Sequence, residues 1–227
     1  MHGLGAQTGT LVQVERTAVD RWRTLDKSIM KHLAGLYEFS LEVGNGKRLC
    51  KALPHILGPK VLEVSVGIGY LIAQYADRFE TTGVDYNPRC LELTRARLAR
   101  LDKRATLLEA DAHALPFPDE SFNTVINTDA FSLYHDPHKA LGEALRVLMP
   151  GGRMILMEYD YPRDHNLLGT LMTEGIRHIM RMAYFDFSTM VRDTGYPYRD
   201  LSVGAFGALH MFVIDKPAEA AKQPSTR

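Results

Sequence analysis

The sequence is poor in cysteine: Cys50 and Cys90 are the two thiols of 227 residues. Their spacing fits neither a metal-binding pair nor a redox pair. Both are expected to pack as small apolar side chains, as suits a reducing compartment. Net charge is lacking too, since 27 Lys+Arg balance 27 Asp+Glu. That balance gives no global pull toward nucleic acid or an anionic membrane, and no nucleic-acid partner is expected. No stretch approaches the roughly 20 apolar residues of a membrane-spanning helix. The opening Met-His-Gly-Leu-Gly-Ala-Gln-Thr-Gly-Thr has no basic region followed by an apolar run, so no signal peptide is read and a cytoplasmic location is expected. The histidines show no ligand spacing of a metal cluster, and no metal is expected. Internal repeats and low-complexity blocks are absent.

What is present is an ordinary globular composition at a length that suggests one domain with a small appendage. Val14, Ala18, Trp22, Leu25, Ile29, Leu33 and Leu36 fall at spacings of three and four, predicting an amphipathic helix over 13–38. Trp22 is expected in the core. A second short helix is predicted over 45–53, ending before Pro54. From Lys60 the period changes. Short apolar runs at 60–65, 81–85, 105–110, 121–127 and 153–158 read as strands. They alternate with helices at 70–79, at 88–101 with Pro88 in the first turn, and at 137–148, the last closed by Pro150-Gly-Gly152. This alternation predicts an α/β fold with a doubly wound, parallel sheet. Residues 165–193 read as helical, and 201–204 and 208–214 as two further strands joined by Ala205-Phe-Gly207. The tail over 216–227 is polar.

Ligands of such sheets bind outside the carboxyl ends of the strands, and chemistry-bearing residues follow three strands here. Gly67 and Gly69 follow the first, where glycine permits a sharp turn and close backbone approach. Glu63 lies inside that apolar strand, where an ionised carboxylate needs a partner; a ligand ammonium would be one. A tight turn with no ligand explains the loop equally well. Asp85 ends the second strand, 22 positions after Glu63. It can accept from two ribose hydroxyls or cap the following helix. Asp111-Ala112 follows the third, where a carboxylate can accept the exocyclic amine of adenine beside a small residue, or form an Asx turn.

Four segments resemble, in order, the motifs of class I S-adenosylmethionine (SAM)-dependent methyltransferases: Val61-Leu-Glu-Val-Ser-Val-Gly-Ile-Gly69, Gly83-Val-Asp-Tyr-Asn87, Glu109-Ala-Asp-Ala-His-Ala-Leu-Pro-Phe-Pro118 and Leu145-Arg-Val-Leu-Met-Pro-Gly-Gly152. The likeness spans about 58–160. It is closest to the group that includes ubiquinone/menaquinone C-methyltransferases and phospholipid N-methyltransferases. The resemblance implies a Rossmann-like, mostly parallel seven-stranded sheet whose last strand is antiparallel, with N-terminal helices and a helical cap. Residues 1–57 would then contribute to a lid, and 58–215 would form the SAM-binding domain with a helical insertion near 165–193; 216–227 would be a flexible tail. By position, Glu63, Ser65, Gly67 and Gly69 would surround the methionine part of SAM. Asp85 would hold the ribose, Tyr86 would pack beside the adenine, and Asp111 and Ala112 would contact it. Asn127 would lie near the methionine moiety or the transferring methyl. One departure stands out: the family's first loop usually has glycine where this chain has Ser65.

Methyl transfer from a sulfonium is an in-line displacement, in which alignment and exclusion of water are the enzyme's main work. A base is needed when the nucleophile must lose a proton. Asp129, Tyr134 and His135 follow the fourth strand and are the candidate catalytic residues, with Asp129 preferred. Tyr161, Met172, Met182, Tyr184, Phe185, Phe187, Phe206 and Met211 make the C-terminal part rich in adaptable apolar side chains. They suit a quinone, lipid or natural product as acceptor, or simply pack the cap on the sheet. A homodimer is left open. Two other readings compete. A nicotinamide-dependent oxidoreductase would want a third glycine where Ile72 stands. A binding or regulatory protein on a methyltransferase scaffold would have lost or altered the chemistry.

Overall fold

A computed structural model describes residues 46–180 and 186–218. The helix expected over 13–38 lies outside the described residues, Trp22 with it, as do Met182, Tyr184 and Phe185. The strands are β1 (Lys60–Val64), β2 (Glu80–Asp85), β3 (Thr106–Glu109), β4 (Phe122–Thr128), β5 (Leu148–Tyr159), β6 (Tyr198–Gly204) and β7 (Leu209–Asp215). They form one seven-stranded sheet in the order β3-β2-β1-β4-β5-β7-β6. β1 to β5 pair in parallel. β7 runs antiparallel to both β5 and β6, so the expected sheet with an antiparallel last strand is what forms.

Alternate strand residues bury opposite faces. Leu62, Val64, Val125, Leu156 and Phe212 pack one face under α4 (Pro137–Val147) and α6 (Phe187–Arg192). Val61, Ile126, Ile155 and Met211 pack the other under α1 (Gly46–Leu49), α2 (Ile72–Tyr75) and α3 (Pro88–Arg100). α5 (Leu167–Met180) precedes α6 in the chain. Both long helices on the sheet begin as the sequence suggests, with proline in the first turn. Asn87 accepts from the Arg89 amide and Asp136 from the Lys139 amide, satisfying amides that the first turn leaves unpaired. Phe187 and Met211, grouped above with pocket residues, are buried core side chains, whereas Phe206 is exposed. No helix among the described residues is long and apolar enough to cross a membrane.

Three boundaries differ from expectation. The helix over 70–79 shrinks to α2, because tight bonds from Gln74 to Leu71 and from Arg78 to Tyr75 replace the helical pattern. The Pro150-Gly-Gly152 segment belongs to β5, which starts at Leu148 rather than Arg153. There the register jumps from Phe122↔Leu148 to Thr124↔Arg153, and the arc is held by Gly151 N–H to Lys216 O and Lys216 N–H to Gly152 O. Gly151 takes a φ of 74°, a conformation that glycine adopts at little cost. The short helix near 45–53 is α1 followed by a 3₁₀ turn over Cys50–His55 that includes Pro54. Such a turn has few backbone bonds for proline to remove.

Strand order reverses between β1 and β4, the switch point outside whose carboxyl ends α/β sheets bind their ligands. Register places Val64, Val84 and Asn127 at one level. Asp85 and Thr128 lie one residue further on, so the residues singled out in the sequence come to a common edge.

Candidate active site

The loop after β1 turns through three left-handed residues, Ser65 (φ 60°), Gly67 (φ 55°) and Gly69 (φ 73°). The two glycines do different work. Among the described residues, a Cβ on Gly67 would meet nothing within 4 Å, whereas one on Gly69 would lie 2.6 Å from Thr94 Cγ2. Gly69 is therefore required for packing against α3, and Gly67 faces no described residue. Thr94 also latches the loop by donating its hydroxyl to Gly67 O at 2.9 Å.

Ser65 occupies a conformation that costs an L-residue roughly 1–2 kcal/mol, which explains why glycine is usual there. Its hydroxyl has a specific partner, the Tyr134 hydroxyl at 2.6 Å. Tyr134 also accepts from Asn127 Nδ2 at 2.8 Å, and Asn127 Nδ2 donates to Val64 O at 2.9 Å. The hydrogen bond compensates for the strained backbone and ties the first loop to the β4 edge. Ser65→Ala keeps the strain and loses the bond, worth about 1 kcal/mol, so it should melt below wild type. Ser65→Gly relieves the strain while losing the bond and should melt above Ser65→Ala. Thermal melts with the alanine variant equal to or above the glycine variant would contradict this balance.

Glu63 is buried and accepts from Tyr75 Oη at 2.6 Å. Burial pushes its carboxyl up to about 8, against the Tyr75 hydrogen bond. The partner demanded by an acid in an apolar strand thus comes from α2. Asp85 is also buried, and it does not cap α3; Asn87 does. Asp85 Oδ2 accepts from the Gly67 amide at 2.9 Å, and Oδ1 accepts from the Asn87 amide at 2.9 Å. It braces the first loop against the end of β2. Tyr86 follows it, half-buried.

Asp111 forms the turn weighed above, with Oδ1 accepting from the His113 amide at 2.9 Å and lying 2.6 Å from His113 Nδ1. Ala112 is buried beside it. His113 sits edge-on to Tyr134 and against exposed His135, its ring centroid 4.0 Å from that of His135. Asp111, Tyr134 and His135 are therefore joined through His113. Asn127 is fully buried, and its Oδ1 has no partner among the described residues.

Asp129 also adopts positive φ, 54°, in the short segment after β4. Burial raises its carboxyl to about 6, with Arg48 opposing. Close by is an acid that the strand reading overlooked. Glu158, at the carboxyl end of β5, is buried, and burial and then Asp129 push it up to about 8. Its Oε1 accepts from the Phe131 amide at 2.6 Å. Arg48 donates to Tyr159 Oη at 2.5 Å. Glu158 carries the signal that marked Glu63, an ionisable residue ending an apolar run. Tyr75, Thr94 and Arg48 give no comparable local signal. Among the described residues no cluster of His, Cys, Asp or Glu could hold a metal ion.

Residues 62–156 match the methyltransferase domain family. The chain is 38% identical over 106 residues to the demethylmenaquinone methyltransferase of Thermus thermophilus, covering 45% of this chain and 48% of that protein. It is 29% identical over 140 residues to the phosphatidylethanolamine N-methyltransferase of Cereibacter sphaeroides, covering 60% and 68%. The chain spans about half the length of the first of these. A SAM-dependent methyltransferase of Thermotoga maritima shares the fold, with a TM-score of 0.65, 21% identity, and coverage of 83% of this chain and 99% of that one. Residues 62–156 thus match a methyltransferase domain, and the chain is similar over that stretch to curated methyltransferases and shares its fold with a SAM-dependent one.

Proposed function

We propose that the chain transfers a methyl group from SAM to a small apolar or aromatic acceptor by in-line displacement. The observation that supports this best is the row of polar groups along the switch-point edge: the open side of Gly67, Asp85, Asp111 and the buried Asn127 Oδ1, which has no partner among the described residues. An orphaned amide oxygen in a buried place calls for a donor, and the ammonium group of an amino acid provides one. Gly67, Glu63 and Asn127 would hold the methionine part, Asp85 the ribose, and Tyr86, Asp111 and Ala112 the adenine. Bound there, SAM supplies an electrophilic methyl group on a sulfonium.

The chain's own residues then align the acceptor and exclude water. Tyr134 closes the space between the first loop and β4 through Ser65 and Asn127. Burial, ahead of every other influence, holds its hydroxyl well above the usual phenol range, so Tyr134 stays neutral and orients rather than deprotonates. Asp129 and Glu158 present polar atoms beside the apolar Phe131. The similarity to demethylmenaquinone methyltransferases favours an acceptor with a quinol-like ring. Exposed Leu167, Leu168 and Leu171 on α5, with Phe206 nearby, suit an apolar substituent on that ring.

Calorimetry with S-adenosylhomocysteine (SAH), followed by transfer of labelled methyl from SAM to quinols, lipids and indoles, tests the proposal. Saturable SAH binding and labelling of a ring acceptor are expected. A folded protein that binds neither SAM nor SAH would sink it.

A further inference from the structure

Six buried side-chain polar atoms among the described residues have no hydrogen-bond partner: His113 Nε2, Asn127 Oδ1, Asp129 Oδ1, Ser132 Oγ, Glu158 Oε2 and His210 Nε2. All but the first belong to the end of β4, the segment after it, the end of β5 and the start of β7. Scattered orphans would read as local imperfections. A concentration on neighbouring strand ends marks a place that receives a polar group. The set includes acceptors, Asn127 Oδ1 and the His210 ring. It also includes a donor, Glu158, which burial keeps protonated at neutral pH, with the Ser132 hydroxyl beside it. A ligand that both donates and accepts at one atom, a hydroxyl group, satisfies such a mixture.

His210 is the member built most like a reactive group. It is 1% exposed on β7 and stands opposite Glu158 of β5 and Ser202 of β6, so it shares a sheet face with Glu158. Its Nδ1 lies 2.6 Å from Asp200 Oδ1. Asp200 Oδ2 in turn accepts from Arg163 Nε at 2.7 Å, and Arg163 reaches Asp160 Oδ2 at 3.0 Å. Burial opposes ionisation of Asp200, but the His210 and Arg163 hydrogen bonds prevail and hold it below the usual carboxylate range. An ionised Asp200 accepts the Nδ1 proton, which fixes the tautomer and leaves Nε2 with a lone pair. The charged and titratable groups around the ring are Asp200 on β6, Arg163 and Asp160 after β5, Glu158 on β5 and, through Glu158, Asp129 after β4.

Building on the methyltransferase reading, we propose that His210 is the general base of this site, removing the hydroxyl proton of a hydroxylated aromatic acceptor through Nε2, with Asp200 as its positioning residue. The acceptor's O–H bond breaks, the proton goes to Nε2, and the electron pair stays on oxygen and spreads into the ring. The ring carbon or oxygen then bonds to the methyl carbon as the carbon–sulfur bond breaks, and that bonding pair leaves with sulfur; on the carbon route the proton on the methylated carbon then leaves to water, its bonding pair restores the aromatic ring, and the oxygen takes back a proton. The sulfonium charge is thereby replaced by an imidazolium charge facing Asp200. No further reactant is needed.

The test uses the full chain, SAH binding, methyl transfer from SAM to a panel of phenols and naphthohydroquinones, and nitrogen-15 NMR of the histidine rings. In wild type at neutral pH, the His210 signals should show a protonated Nδ1 and a bare Nε2. His210→Gln should bind SAH as wild type does and lose about a hundredfold in kcat with little change in KM. Asp200→Asn should shift the tautomer and lower kcat, and Asp200→Glu should restore both in part. A protonated Nε2 at neutral pH, wild-type turnover by His210→Gln, or a wild type that binds SAH yet methylates no phenol or quinol would overturn the proposal. Failure of wild type to bind SAH would instead overturn the reading on which it rests, and the proposal with it.

Discussion

Gly67→Ala should leave the protein folded and cut SAH affinity at least tenfold, whereas Gly69→Ala should destabilise the fold itself. The two positions look interchangeable in sequence, and both have positive φ. A methyl on Gly67 meets none of the described residues, so the cost it carries there is the backbone strain, roughly 1–2 kcal/mol. The same methyl blocks the close approach proposed for the methionine part of SAM. A tenfold loss corresponds to about 1.4 kcal/mol of binding free energy, less than one misplaced carbon commonly costs at a close backbone contact. On Gly69 the methyl meets Thr94 at 2.6–2.9 Å, and Thr94 is the latch to Gly67 O. Strain, overpacking and the lost latch together cost on the order of 3 kcal/mol, or roughly 6–12 °C in melting temperature at this chain length. Gly67→Val adds a β-branch to the strained position and should abolish binding. Wild-type SAH affinity in Gly67→Ala, measured by calorimetry on a sample with a near-native melt, would mean that the open side of the loop is not where the cofactor lies.

The contrast between these glycines shows what local sequence can and cannot express. Strand identity was legible because most of these strands are short, largely apolar runs between turn signals, and all seven strands fall on the segments read as strands. The carboxyl-end positions of Asp85, Asp111 and Asn127 followed from those runs. Partners were not legible, because they depend on register and on helices that arrive from elsewhere. Tyr75 reaches Glu63 across one strand-to-helix turn, and Tyr134 reaches Ser65 from 69 positions away. Asp85 accepts from two backbone amides, Gly67 and Asn87, that its place in the sequence did not announce. The Pro-Gly-Gly segment read as a helix stop because its other half, Lys216, lies across the sheet. Glu158 and His210 had the legible signal of polar residues within apolar strands, but their adjacency exists only through the β5–β7 register.

Between about pH 5 and 8 the ligand-free protein should lose stability as pH rises, and two glutamates should account for most of the slope. Glu63 and Glu158 are each raised to about 8, whereas an unfolded glutamate ionises near 4.3. Across that window the unfolded chain has released these protons and the folded chain retains them. The stabilisation is therefore complete below the unfolded value and is lost as pH climbs through the folded one, at up to about 1.4 kcal/mol per pH unit for each group. Asp129, raised to about 6, adds the same sign over the lower part of the window. Asp186, Asp200 and Glu143 are lowered, so their contribution is lost on acidification, below the window. His55 is also lowered, by burial and then by Arg199 and Arg153; it gives an opposing slope near neutrality, small because the ring is largely solvated. The net loss is on the order of several kcal/mol, about 10 °C or more in melting temperature from pH 5 to pH 8. Glu63→Gln keeps an acceptor for Tyr75, and Glu158→Gln keeps one for the Phe131 amide, so each should preserve the fold while removing about half of the slope. Each variant should therefore melt above wild type at pH 8 and close to it at pH 5. A wild-type melting temperature that is flat or rising across the window would show that these carboxyls are ionised in the folded chain. Neutral Glu63 also makes the proposed cofactor contact testable, since a cation brought beside it favours ionisation. SAH binding near pH 7 should then release protons in wild type, visible as a buffer-dependent calorimetric enthalpy, and release fewer in Glu63→Gln.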